Sequence, residues 1–169
     1  MKINIKNLSI NYIQYGEGND IVLLHGWGQN IEMMRPIGDN FQNRFRITIL
    51  DFPGFGESEE PKEAWTIDDY ELMLEEFLKK VNVKKPIVIG HSFGGRVAIR
   101  YSARNPIKKL VLFGSPCIRI QEELSLGVKI LKKLKQLPGL NEIGEYMKNF
   151  IGSRDYKAAS PIMRQTLVN

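Results

Sequence analysis

The residues most able to do chemistry lie in one short stretch, Gly90-His91-Ser92-Phe93-Gly94. An apolar run of strand type, Ile87-Val88-Ile89, leads straight into it. Val97, Ala98 and Tyr101 follow at spacings that share one helical face. Strand, G-x-S-x-G and helix in that order predict a nucleophile elbow, a turn so tight that Ser92 is thrust out in a strained conformation. Gly90 and Gly94 carry no Cβ, which lets strand and helix approach closely. Ser92 then stands at a helix N-terminus, where free N–H groups and the helix dipole favour the negative charge of an acyl-transfer intermediate. Two blander readings compete. One makes Ser92 no more than an N-cap in a strand-to-helix loop. The other is a phosphate-binding loop: Gly90 and Gly95 have its four-residue gap, but Arg96-Val97 follow where Lys and Ser/Thr are required. A dinucleotide fingerprint fails as well, because G-x-G-x-x-G does not occur here.

The elements that must hold this stretch are legible from apolar patterning. Ile3 and Ile5, then Leu8, Ile10 and Tyr12, alternate as two short antiparallel strands with Asn7 in the turn. Ile21-Val22-Leu23-Leu24 is a continuous apolar run of the kind covered on both faces. It ends in His25-Gly26-Trp27-Gly28-Gln29-Asn30, and a helix is expected over 31–41 although Pro36 and Gly38 weaken it. A strand from Phe45 to Leu50 runs into Asp51-Phe52-Pro53-Gly54-Phe55-Gly56-Glu57-Ser58. Thr66 to Lys80 is the clearest helix, opened by a Thr66/Asp69 capping box and striped by Tyr70, Leu74, Phe77 and Leu78. The helix after Ser92 runs to about Arg104, ended by Asn105-Pro106. Lys109 to Gly114 reads as another buried strand, closed by Ser115-Pro116-Cys117. From Gln121 the apolar residues recur at helical spacing among lysines, with a break at Pro138-Gly139 and a last helix opening near Ser160-Pro161. Strands alternating with helices, then a helical excursion, give an α/β protein with a mostly parallel sheet.

Composition narrows the class of function. A chain of 169 residues with 43% hydrophobic and 25% charged residues suits one core-forming globular protein. No apolar run reaches transmembrane length, and the first residues lack the apolar core of a signal peptide, so a cytoplasmic location without a membrane partner is expected. A single cysteine, Cys117, rules out an internal disulfide and a cysteine-based metal cluster, and it reads as a buried apolar residue. The net charge of +5 is weighted toward residues 121–169, which hold eight Lys/Arg against five Asp/Glu. Without an aromatic-plus-basic ribbon, that bias reads as a solvated helix face and not as a nucleic-acid site.

Three loops, 25–28, 51–58 and 90–95, fall in the order and spacing of the α/β-hydrolase superfamily, and the chain resembles its serine-nucleophile branch over about residues 8–120. The resemblance implies an α/β-hydrolase core over 1–120 and the beginning of a helical lid over 121–169. It implies Ser92 as nucleophile, the backbone N–H groups of Trp27 and Phe93 as the oxyanion hole, and no cofactor or metal. His25 is then a loop-shaping residue, His91 points away from Ser92, and Asp51 is a hydrogen-bond anchor and not a triad acid. A serine at this position argues against the haloalkane dehalogenase and epoxide hydrolase branches, which use Asp there. His25-Gly26-Trp27-Gly28 with Ser115-Pro116-Cys117 is most similar to the pimeloyl-carrier-protein methyl esterases. That branch uses basic lid residues to receive an acidic carrier protein, which makes such a carrier a candidate partner beside a small ester-like substrate. A solvated lysine face accounts for the same lysines.

The family order Ser, acid, His is not completed in this sequence. No histidine follows His91, and Glu122, Glu123, Glu142, Glu145 and Asp155 fall in expected lid helices. The chain therefore reads as the N-terminal part of a longer hydrolase, with the last core strands, triad acid and triad His outside it. A non-catalytic module that binds through the oxyanion pocket is one alternative. A second polypeptide completing the fold is the other. The missing strands are expected to leave the strand over 109–114 as an open sheet edge prone to self-association.

Overall fold

The computed structural model describes residues 1–115 and 159–168. Its first strands, β1 (Lys2–Ile5) and β2 (Leu8–Tyr15), form the expected antiparallel hairpin. Lys6 and Asn7 make the turn at φ 50° and 63°, and two successive left-handed residues give the hairpin geometry whose twist matches its strands. The sheet continues with β3 (Asn19–Leu24), β4 (Phe45–Leu50), β5 (Ile87–His91) and β6 (Lys109–Phe113). The order is β1-β2-β4-β3-β5-β6, with β2 antiparallel to β4 and the three remaining pairings parallel. The sheet is mostly parallel, as the alternation of strands and helices predicts.

Helices cover both faces, and β3 at the centre is buried on both. Ile21 and Leu23 pack toward α1 (Ile31–Phe41) with Ile31 and Met34. Val22 and Leu24 pack on the opposite face toward α2 (Ile67–Lys80) and α3 (Phe93–Arg104) with Leu74, Phe77 and Val97. The two residues that weakened the prediction of α1 have a packing explanation. Pro36 lies inside the helix, and a Cβ on Gly38 would meet Ile47 Cγ2 at 2.8 Å, so glycine lets α1 lie down on β4. The capping box of α2 is complete: Asp69 N–H donates to Thr66 Oγ1 at 3.3 Å, and Thr66 N–H donates to Asp69 Oδ2 at 2.8 Å.

Strand β6 departs from expectation. Leu110 and Leu112 join the core beneath α2 and α3, but Val111 and Phe113 are each 39% exposed. A continuous apolar run is buried on both faces only where both are covered, and no described element covers this strand on the α1 side. Among the described strands β6 ends the sheet.

The chain divides into two compact units, Met1–Cys117 with Ser160–Asn169, and Ile118–Ala159. The first of these includes α4 (Pro161–Val168). Pro161 opens it, as its fixed φ and missing N–H favour. Trp65 N–H donates to Thr166 Oγ1 at 3.0 Å, and Met163 is 2% exposed against Gly54. Cys117, the helices expected among the lysines and the carboxylates from Glu122 to Asp155 lie outside the described residues.

Candidate active site

The parallel strands β3, β4 and β5 point their C-terminal ends to one edge, and each ends in one of the three motif loops. At the end of β5 the chain turns at Ser92 with φ 47° and ψ −109°, a left-handed conformation that is costly for a residue bearing a Cβ. Ser92 N–H donates to Phe113 O at 3.1 Å, and Gly95 and Arg96 N–H donate to Ser92 O at 3.1 and 3.2 Å. The strain is therefore held by β6 on one side and the first turn of α3 on the other. A Cβ on Gly90 would meet Gly95 Cα at 2.6 Å, and one on Gly94 would run into the carbonyls of Leu24 and His25. Strand, helix and the neighbouring loop meet backbone to backbone here, which is why both positions are glycine. Ser92 makes no side-chain cap bond, so its hydroxyl is not occupied as an N-cap.

His25 ties the loops together. Its Nδ1 lies 2.7 Å from Gly26 O, its Nε2 accepts from Phe52 N–H at 3.0 Å, and its carbonyl accepts from Gly94 N–H at 3.0 Å. A carbonyl only accepts and a backbone N–H only donates, so the ring is the neutral tautomer protonated at Nδ1. Burial pushes its pKa below the ordinary histidine value, against the Gly26 bond that would raise it. With no exposure and both nitrogens engaged, His25 shapes the loop and has no free site for a proton. His91 bonds through Nδ1 to Gln29 Oε1 at 2.9 Å and stacks on Phe113 at 4.8 Å, and it makes no hydrogen bond to Ser92.

Asp51 is 2% exposed and anchors three segments. Its Oδ1 accepts from Ile31 N–H at 2.7 Å, at the start of α1. Its Oδ2 accepts from Asn11 Nδ2 at 2.8 Å and from Glu57 N–H at 2.9 Å. All its contacts are to structural donors, and none is to either histidine.

A cavity of about 130 Å³ opens beside Ser92. Trp27, Phe93 and Tyr70 line it from the loops and core, Trp65, Thr66 and Ile67 from the start of α2, and Arg96 from α3. Thr166 and Leu167 of α4 close its remaining side. The backbone N–H groups of Trp27 and Phe93 donate to no acceptor among the described residues. Sequence reasoning placed Ser92, Trp27 and Phe93, and the structure brings all three to this cavity. It missed the part played by the Phe93 ring, which packs edge-on against Trp27, Phe52 and Tyr70 at 5.3, 5.4 and 5.0 Å. Only the aromatic spacing of Trp27, Phe52, Phe55 and Phe93 around the loops hints at that cluster.

Comparison with known proteins agrees with the fold. Residues 20–142 match the family described as alpha/beta hydrolase fold. The chain is 30% identical over 135 residues to the pimeloyl-[acyl-carrier protein] methyl ester esterase of Aeromonas hydrophila, covering 77% of this chain and 52% of that protein. It is 35% identical over 106 residues to the 1-acylglycerol-3-phosphate O-acyltransferase of Arabidopsis thaliana, covering 56% of this chain and 24% of that one. The crystal structure of an alpha/beta hydrolase fold protein from Burkholderia ambifaria superposes with a TM-score of 0.66 at 22% identity, covering 90% of this chain and 57% of that one. This chain thus spans about half the length of the Aeromonas esterase, 52% of it. With the family match running through β3, both motif loops and the elbow, the chain belongs to the alpha/beta hydrolase fold family.

Proposed function

We propose that this chain is the nucleophile-bearing part of a serine hydrolase that cleaves a carboxylic ester through an acyl-Ser92 intermediate. The observation that supports it is Ser92 at φ 47°, uncapped and bordering a cavity, beside the N–H groups of Trp27 and Phe93, which donate to no acceptor among the described residues. Ser92 Oγ bonds to the ester carbonyl carbon while its proton passes to an imidazole base. The carbonyl oxygen takes up the negative charge and accepts from Trp27 and Phe93 N–H. Removing one donor of this kind costs about 10²–10³ in kcat in enzymes that use them. Collapse breaks the bond to the leaving alcohol, which takes the proton from the imidazolium, and water repeats the sequence on the acyl-serine.

His25 is committed at both ring nitrogens and His91 is held by Gln29 and Phe113. We therefore place the base and its orienting carboxylate in the further length by which the relatives exceed this chain, or in a second polypeptide. The Aeromonas relative is named for a methyl ester on a carrier protein and the Arabidopsis relative for acyl transfer. An acyl-serine serves either outcome, with water or another alcohol as the acceptor.

Incubation with p-nitrophenyl acetate and mass analysis of the peptide bearing Ser92 tests the reading. An acetyl group on Ser92 is expected, and Ser92→Ala is expected to lose it together with the part of nitrophenol release that passes through the acyl-serine. Unchanged release by Ser92→Ala removes Ser92 from the mechanism. The engagement of both histidines also favours a binding reading, in which Ser92→Ala retains an ester that the native chain does not turn over.

A further inference from the structure

Arg96 is four residues beyond Ser92 and borders the same cavity. It is the first of three arginines at four-residue spacing on α3, followed by Arg100 and Arg104, so the three form one row along the helix. The second and third are neutralised by α2. Arg100 pairs with Asp68, with Nη2 donating to Oδ2 at 3.0 Å, and Arg104 Nη1 donates to Glu71 Oε2 at 2.9 Å. The two helices advance together, Asp68 to Glu71 against Arg100 to Arg104. One turn back from Asp68 in the sequence are Ala64 and Trp65, where α2 has not yet begun, and Trp65 borders the cavity with Arg96. No carboxylate is supplied there. Among the described residues the Arg96 guanidinium makes no hydrogen bond or ion pair. Among the described residues Arg96 is also the one charged residue lining the cavity, whose other described walls are aromatic, aliphatic and hydroxyl groups.

We propose that Arg96 is the specificity-determining residue of the Ser92 cavity, and that the ester it admits carries an anionic carboxylate or phosphate group. This rests on the reading of Ser92 as the nucleophile and names the substrate class for it. A guanidinium presents forked N–H donors that match either oxyanion bidentately. The aromatic walls receive the apolar part of the ester, and the anion remains at the exposed arginine.

Trp27 and Trp65, the two tryptophans of the chain, both border the cavity, so intrinsic fluorescence reports occupancy directly. Titration is carried out in Ser92→Ala, where no acylation intervenes, with monomethyl glutarate, 1-acetylglycerol 3-phosphate and neutral dimethyl glutarate. At least one anionic ester is expected to bind about tenfold more tightly than the neutral one, and to weaken as salt is raised. Adding Arg96→Gln is expected to bring that anionic ester to the level of dimethyl glutarate and to leave dimethyl glutarate unmoved. Arg96→Lys, which keeps the charge but not the fork, is expected to retain part of the preference. Which anionic ester responds distinguishes a carboxylate from a phosphate substrate.

Equal affinity for charged and neutral esters, no response to either anion, or full retention in Arg96→Gln overturns the proposal. A fold defect is read separately from circular dichroism, and Arg96, exposed and unpaired, is expected to show none. Charge discrimination without acetylation of Ser92 would leave Arg96 as the determinant of anion binding in this cavity and remove the hydrolase reading. Acetylation without charge discrimination would do the reverse.

Discussion

Replacing Asp51 with Asn separates a carboxylate that holds loops in place from one that takes part in the chemistry. Asp51 has two acceptor oxygens serving three donors: Ile31 N–H at one, Asn11 Nδ2 and Glu57 N–H at the other. Asparagine has a single acceptor oxygen. Turned to keep the pair at Oδ2, it sets its NH2 group against the buried Ile31 N–H. A buried donor left without an acceptor costs about 1–3 kcal/mol, and the two retained bonds lose their charge assistance. The expected loss is about 2–3 kcal/mol. At a urea slope of about 2 kcal/mol per molar, the unfolding midpoint falls by about 1 M. Asp51→Ala removes both oxygens and is expected to lose about 4 kcal/mol, since water reaches the half-buried Asn11 and Glu57 donors in part. Equilibrium urea unfolding followed by tryptophan fluorescence measures both. A midpoint within about 0.3 M of native, with Ser92 acetylation reduced to the Ser92→Ala level, would refute the anchor and put Asp51 in the chemistry.

Gly94→Ala forces a Cβ to 2.5 Å from His25 O and closer still to Leu24 O, both backbone atoms of the central strand and its loop. A loss of about 2–4 kcal/mol in thermal unfolding and failure to acetylate Ser92 are expected, and a variant of native stability would mean the loops are not in contact. His25 is held neutral when folded, with its pKa pushed down by burial, while the unfolded imidazole takes a proton near its ordinary value. The unfolded state then binds more protons below about pH 6.5, so stability is full above that pH and falls beneath it by up to about 1.4 kcal/mol per unit. Urea midpoints from pH 7.5 to 5 are expected to show a slope that His25→Gln removes, and an equal slope in both chains would contradict the assignment. Val111→Lys on the outermost described strand is expected to lower any self-association in sedimentation without lowering the melting temperature, since Val111 is 39% exposed.

Features set by local chemistry were legible before any coordinates. The Thr66/Asp69 box, Pro161 at the head of its helix and the Gly90–Gly94 spacing each depend on residues within one turn of one another. Features set by the meeting of distant segments were not. The run over 110–113 is apolar throughout, but burial of both its faces depends on which element lies over each, and apolarity does not carry that information. Arg96 reads in sequence as one basic residue on an amphipathic helix. Its distinction from Arg100 and Arg104 arises only where α2 begins, because the partner carboxylates are Asp68 and Glu71 and their row stops one turn short. Thr166 enters the cavity wall through a bond to Trp65, a hundred residues earlier in the chain, for which neither residue type gives a signal.

If Ser92 acts as proposed, the arrangement around it divides catalytic preparation into two parts with separate structural sources. Stabilisation of negative charge depends on where the N–H groups of Trp27 and Phe93 point, and that is fixed within the sheet. The pairing of Leu24 with Gly90 and of Leu23 with both Ile49 and Ile89 sets the three strand ends level. His25 then joins their loops through Gly26, Phe52 and Gly94. Proton transfer depends on a base that neither His25 nor His91 is placed to supply. In serine proteases stripped of triad groups, the binding site and oxyanion donors alone still give about 10³–10⁴ over water. The chain studied alone is therefore expected to retain acceleration of that order with an activated ester, to lose it in His25→Ala through the loops, and to lose it in Ser92→Ala only in its covalent part. Residual activity that vanishes in His25→Ala and persists without an acyl-serine in Ser92→Ala would assign the charge-stabilising role to the loops and leave the serine's role to whatever supplies the base.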